Sequence, residues 1–149
     1  METAFEQNLV PRIIISVMAA AIAIGPMFAD FNKTHATNPL WPPHARFHVV
    51  WQVLMQMGVS LVVLALIWRD SADYVFHLYM GAALIYVWLF TFFATLASMK
   101  LFEGALRDVN GIEPFRFKFG ANVLEVDTNL FGVCLFTIVN TVAVLLIAG

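Results

Sequence analysis

Four stretches without a single lysine, arginine, aspartate or glutamate, residues 13–29, 47–68, 74–97 and 130–148, constrain this chain more than any other feature. A helix of about 20 apolar residues crosses the hydrocarbon core of a bilayer. A charge at the centre of such a helix costs about 2.5–3.5 kcal/mol, so charges are expected in the connections, where all of them lie. Hydrophobic residues make up 61% of the 149 positions and charged residues 12%, with a mean hydropathy of +0.82. The expected class is all-α integral membrane: an antiparallel four-helix transmembrane bundle with a long ordered first loop and a small β-hairpin before the last helix. Residues 1–149 read as one such domain, without internal repeat or low-complexity tract.

The first apolar run ends in Gly25-Pro26-Met27-Phe28-Ala29-Asp30, which offers no good small-x-small cleavage site, so it reads as a retained helix rather than a signal peptide. Cys134 is the one cysteine, which excludes a disulfide within the chain. A net charge of -2 and the lack of a basic tract argue against a nucleic-acid partner. Lys33, Arg46, Lys100, Arg107, Arg116 and Lys118 lie in the two long connections, against Arg12 and Arg69 on the other side. That imbalance predicts cytoplasmic long loops, which in a bacterium means the inner membrane.

The short link at 69–73 makes the second and third helices antiparallel neighbours. Residues 101–109 read as a continuation of the third helix that Asn110-Gly111 stops. Phe115-Arg116-Phe117-Lys118-Phe119 then alternates with strand period. A two-residue turn at Gly120-Ala121 would set Arg116 opposite Glu125 and Phe117 opposite Leu124; an aromatic-rich interfacial coil is the other reading.

Polar residues inside the apolar stretches gather toward the long-loop side. His44, His48, Gln52 and Gln56 follow one another by four and form a winding stripe on the second helix. Gln56 and Asn140 fall at similar depth, on the order of 14 Å in at ~1.5 Å per residue, so a hydrogen bond between them is expected. Thr91, Thr95, Ser98 and Thr137 occupy the same half. The pattern predicts a polar vestibule open toward the long loops; interhelical bonds worth roughly 0.6 kcal/mol each are the bland alternative.

Three of the four histidines lie between Asp30 and Gln52, and the fourth, His77, reads as structural. Asn38-Pro39 and Pro42-Pro43 stiffen the loop, and Pro43 suits the first turn of the second helix. His44 and His48 are then one turn apart. They read as an acid and a base poised by Asp30 or Asp127, since histidine titrates near neutrality and a carboxylate can tune it. Asn32, His35, Asn38, Trp41, Arg46, Trp51, Gln52, Trp88, Glu125 and Asn129 complete the candidate ligand-binding set. Trp41 and Trp68 also fit an interfacial belt, and Lys33 and Arg46 a headgroup anchor. The i, i+4 imidazoles also suit a transition metal such as zinc, with His35, His44 and His48 as candidate ligands and Asp30 to complete the set, and interfacial histidines that only hydrogen-bond the loop are the bland reading.

The segment Asp30, Asn32, Thr34-His35, Asn38-Pro39, Trp41-Pro42-Pro43-His44-Ala45-Arg46-Phe47-His48 resembles the signature of a small uncharacterised family of four-span membrane proteins found in bacteria and fungi. That resemblance implies the fold and no activity. In layout the chain is also similar to the emopamil-binding and sigma-2 receptor superfamily, which implies a pocket for sterol-like amphiphiles. It departs in carrying His48 and Gln52 where that superfamily presents a buried glutamate.

Three functions follow as expectations. The first is a site that binds a hydrophobic small molecule with one polar end and catalyses a proton transfer, such as an isomerisation or cyclisation. The second is a non-catalytic metal-binding protein, and the third an accessory subunit of a larger membrane complex or a homo-oligomer. Membrane lipid is a partner in each. A transporter fits less well, because the chain lacks repeats and paired broken helices.

Overall fold

A computed structural model describes residues 8–108 and 111–148. Four long helices, α1 (Leu9–Asp30), α2 (Pro43–Ile67), α3 (Tyr74–Ser98) and α4 (Thr128–Ala148), are each long and apolar enough to cross a membrane. A two-stranded antiparallel hairpin, β1 (Phe115–Phe119) and β2 (Asn122–Val126), precedes α4.

The buried positions of α2, Val53, Gln56, Ser60, Val63 and Ile67, advance in alternating steps of three and four. In α3, Leu78, Ala82, Ile85 and Leu89 do the same, with Gly81 also buried beside Ala82. This is the spacing of a bundle seam in which side chains of one helix fill gaps on the next. α1 packs on α2 and α4, α3 packs on α2 and α4, and α1 touches α3 across the middle. Chain direction alternates: Arg12 at the start of α1 bonds the Ile67 carbonyl at the end of α2, and Asn140 late in α4 reaches Ala82 early in α3.

Contact between α1 and α3 decides the fate of the expected Gln56–Asn140 bond. α2 and α4 become the far corners, so equal depth does not bring their side chains together. Asn140 Nδ2 donates instead to the Ala82 carbonyl at 3.1 Å, and Gln56 Oε1 is buried without a hydrogen-bond partner among the described residues. The pairing predicted between them is therefore absent.

The short-link end is sealed. Arg12, counted from sequence as a flanking charge, is fully buried, its guanidinium 5.4 Å from the Trp68 ring centre and 5.9 Å from that of Tyr74. Such a desolvated cation over aromatic rings contributes about 2 kcal/mol. Trp68 Nε1 donates to Ser16 Oγ at 2.9 Å and ties α2 to α1.

At the other end α3 stops sooner than its composition suggests. Residues Met99–Phe102 tighten into a 3-10 turn, Glu103 takes a left-handed φ of 53°, and the Gly104 N–H bonds the Met99 carbonyl. The continuation expected over 101–109 is not formed across 103–108, because that left-handed residue turns the chain away; Val109 and Asn110 lie outside the described residues. The hairpin has the expected register, Arg116 opposite Glu125 and Phe117 opposite Leu124, with an Arg116–Glu125 ion pair of 2.9 Å. Gly120 supplies the positive φ, 61°, that a two-residue turn needs.

Asp127 links hairpin to helix. Its Oδ1 accepts the N–H groups of Asn129 and Leu130 at 2.9 and 3.0 Å, the second and third residues of α4. Asp127→Ala is expected to lower stability by about 1 kcal/mol, and Asp127→Ser to restore most of it, in thermal unfolding of the solubilised protein.

Candidate functional site

The first loop is built by its own short polar side chains. Asn32 Oδ1 accepts the Thr34 N–H and the Thr34 hydroxyl, at 2.8 and 2.6 Å, while its Nδ2 donates to the carbonyls of Phe28 and Ala29 at 2.9 Å. Asn38, 1% exposed, donates to the Thr34 carbonyl and accepts the Leu40 N–H, both at 3.0 Å. Asn32 and Asn38, read from sequence as ligand-binding residues, thus spend their amides on folding the loop.

This knot presents His35. Its Nδ1 lies 2.7 Å from Thr34 Oγ1 and 3.7 Å from Asp30 Oδ1, and its ring meets Trp41 edge-on at 5.1 Å. A carboxamide oxygen cannot donate, so the single Thr34 hydroxyl proton goes to Asn32 and the imidazole must donate to Thr34 Oγ1. The hydrogen bonds therefore assign the proton to Nδ1 and leave Nε2 as the basic nitrogen. Trp41 in turn donates from Nε1 to Asp108 Oδ2 at 3.3 Å, pinning the loop to the segment after α3.

Behind His35 lies a cavity of about 530 Å³ at the long-loop end, walled by all four helices. Asp30, His35, Trp41, Gln52, Trp88 and Asn129 all line it, six of the residues singled out from sequence. The lower wall is Ile22, Val133 and Phe136. A groove of about 570 Å³ between α2 and α3 is lined by His48, Trp51, Thr91 and Thr95, and a smaller, mostly apolar chamber of about 200 Å³ lies beside Ile22, Val59 and Leu84. Gln56 and Trp88 border all three spaces.

Pro43 opens α2, so His44 and His48 stand one turn apart as expected, with Nε2 atoms 3.0 Å apart and rings crossed at 4.5 Å between centres. Both are exposed, beside Phe47 and Trp51. The carboxylates expected to poise them are engaged elsewhere: Asp30 faces His35, and Asp127 caps α4. Among the described residues no group of three or more His, Cys, Asp or Glu side chains is placed to hold a metal ion, so His35 does not join His44 and His48 as a third ligand.

The chain matches a protein family, described as a family of unknown function (DUF6640), over residues 14–98. It belongs to that family. No curated protein and no solved structure matches it. The DUF6640 match contains Asp30, His35, Trp41, Gln52, Gln56 and Trp88 and stops short of α4, which closes the cavity with Asn129, Gly132 and Phe136.

Two remaining candidates of this DUF6640 chain lie away from the cavity lining. Glu125 pairs with Arg116 on the exposed hairpin, and Arg46 sits in the first turn of α2, its Nε buried without a hydrogen-bond partner among the described residues. Sequence reasoning missed Gly25 and Gly132 as wall residues. A Cβ built on either meets nothing within 4 Å, so neither glycine serves close helix packing; each leaves space. A glycine inside an apolar helix draws attention to the position, but Gly58 has equally open surroundings and lines none of the three spaces, so the sequence alone does not mark such a wall.

Proposed function

We propose that this chain is an integral multipass membrane protein, a single four-helix transmembrane domain with its long loops in the cytoplasm, that binds a hydrophobic small molecule with one polar end. The carrying observation is the cavity of about 530 Å³ in which apolar walls meet the Asp30–His35 pair. Apolar walls with a few convergent polar groups are the usual composition of a small-molecule site. A membrane setting is supported by large exposed residues on all four helices, among them Val17, Phe28, Leu61, Val87 and Leu145.

In this reading the bound molecule undergoes a proton transfer such as an isomerisation or cyclisation. His35 Nε2 takes a proton from one position of the molecule and, as the imidazolium, returns it at another. Asp30 stabilises the imidazolium that results, and Thr34 holds the ring in one tautomer. Gln52 and Asn129 orient the polar end, and Trp88 walls the apolar part. Acid/base chemistry thereby moves from the His44–His48 pair, which lies apart from the Asp30 and Asp127 carboxylates, to a histidine that has one beside it.

The test fills the cavity from a wall that has room. Gly132→Leu adds a side chain where a Cβ meets nothing and improves helix propensity by a few tenths to 1 kcal/mol. Native mass spectrometry of gently solubilised wild type is expected to show a retained apolar molecule, and the folded Gly132→Leu variant is expected to lose it. Retention at the same stoichiometry in the variant, or no retained molecule in wild type, overturns the reading.

A further inference from the structure

Gln56 is 7% exposed at a seam position of α2, and its Oε1 is a buried acceptor with no hydrogen-bond partner among the described residues. Leaving such a group unpaired costs about 1–3 kcal/mol. Its nearest counterpart in depth, Asn140, is committed to the Ala82 carbonyl across the bundle. Gln56 also forms part of the wall of all three spaces, so a turn of its terminal amide would bring Oε1 toward them. An acceptor without a partner beside three cavities is open to a donor from outside the chain.

The surroundings restrict that donor. Neither the α2–α3 groove nor the apolar chamber is lined by Lys, Arg, Asp or Glu, so an ammonium lacks a counter-ion in both; His48 is the one titratable side chain of the groove, and the chamber offers a carboxylate no charged partner. Ile22, Val59, Val63, Leu84 and Val87 give the chamber its apolar wall. The groove is built from α2 and α3 alone and therefore opens sideways, toward the lipid in a membrane. Resting on the reading above of this chain as a binder of hydrophobic small molecules, we propose that a neutral lipid with a free hydroxyl enters between α2 and α3, lays its apolar part in the chamber and donates its hydroxyl proton to Gln56 Oε1.

Photolabelling the intact protein in lipid nanodiscs with a diazirine-bearing 1-dodecanol tests this directly. Peptide mapping is expected to place the label on Met55, Leu84 or Trp88. Unlabelled 1-dodecanol is expected to compete about tenfold better than its methyl ether, which cannot donate, and better than dodecanoate. Gln56→Leu is expected to reduce labelling about tenfold without lowering the thermal midpoint, because leucine suits a seam position. Equal competition by the ether, a label outside the groove and chamber, or undiminished labelling of a folded Gln56→Leu protein overturns the proposal. The alcohol–ether comparison is made on wild type and so does not depend on the variant folding. It also fails independently of the Gly132→Leu comparison, which decides whether the larger cavity holds a molecule at all.

Discussion

His35→Ala is expected to slow conversion of the bound molecule at least 100-fold while leaving that molecule in the cavity. The reasoning rests on the hydrogen bonds around one ring. Asn32 and Thr34 fix the proton on Nδ1, Asp30 lies 3.7 Å away to stabilise the charged form, and Trp41 holds the ring edge-on. A positioned general base contributes about 10²–10⁴-fold, so losing the imidazole removes at least the lower figure. Asp30→Asn keeps a hydrogen-bond acceptor and loses the charge, so a smaller loss in the same direction is expected. His44→Ala provides the contrast: His44 is exposed and lines none of the three spaces, and its loss is expected to leave the rate within about twofold. The measurement is turnover of the molecule identified by native mass spectrometry, with binding read in parallel. A fully active His35→Ala protein, or one that loses activity only because it no longer holds the molecule, removes His35 from the chemistry.

Gly81→Val is expected to destabilise the bundle by about 1–3 kcal/mol, the usual cost of forcing extra carbons into a close-packed core. Gly81 is buried where α3 approaches α2 and α1. A Cβ there comes within 2.6 Å of Ile67 Cγ2, 3.5 Å of Val63 Cγ1 and 3.7 Å of Ile15 Cγ2. Ile67 is itself 1% exposed and has no open space to move into. Gly81→Ala already creates the first of these clashes and is expected to unfold at lower denaturant than wild type. Combining it with Ile67→Ala removes the clashing methyl, so the double variant is expected to cost less than the sum of the two singles. Additive losses, or a Gly81→Ala protein as stable as wild type, would show that the helices relax apart freely at this point.

Local features were legible because the chain alone sets them. The Arg116–Glu125 and Phe117–Leu124 pairs followed from a two-residue turn at Gly120, which leaves one register open. The one-turn separation of His44 and His48 followed from Pro43 and the helical repeat. Asp30, His35, Trp41, Gln52, Trp88 and Asn129 were named from their residue types and their place toward the long loops, and the fold does bring them to one cavity.

What failed were statements about which groups meet. Gln56 and Asn140 were paired on depth alone, but α1 and α3 touch between their helices and Asn140 bonds Ala82 instead. Asp127 looked available to a histidine until α4 was seen to begin one residue later and claim its oxygen. Arg12 was counted only as a charge on the short-link side, and the fold buries it against Trp68 and Tyr74.

Four apolar helices, a hairpin and a proline-stiffened loop are properties of this sequence by itself, since hydrophobic runs, turn residues and helical spacing act over a few neighbours. Which helices stand diagonal, which acceptor is left without a donor and which histidine keeps a carboxylate were decided only by the tertiary structure. The physical reason is that each depends on side chains far apart in the chain competing for the same partners, and packing alone settles that competition.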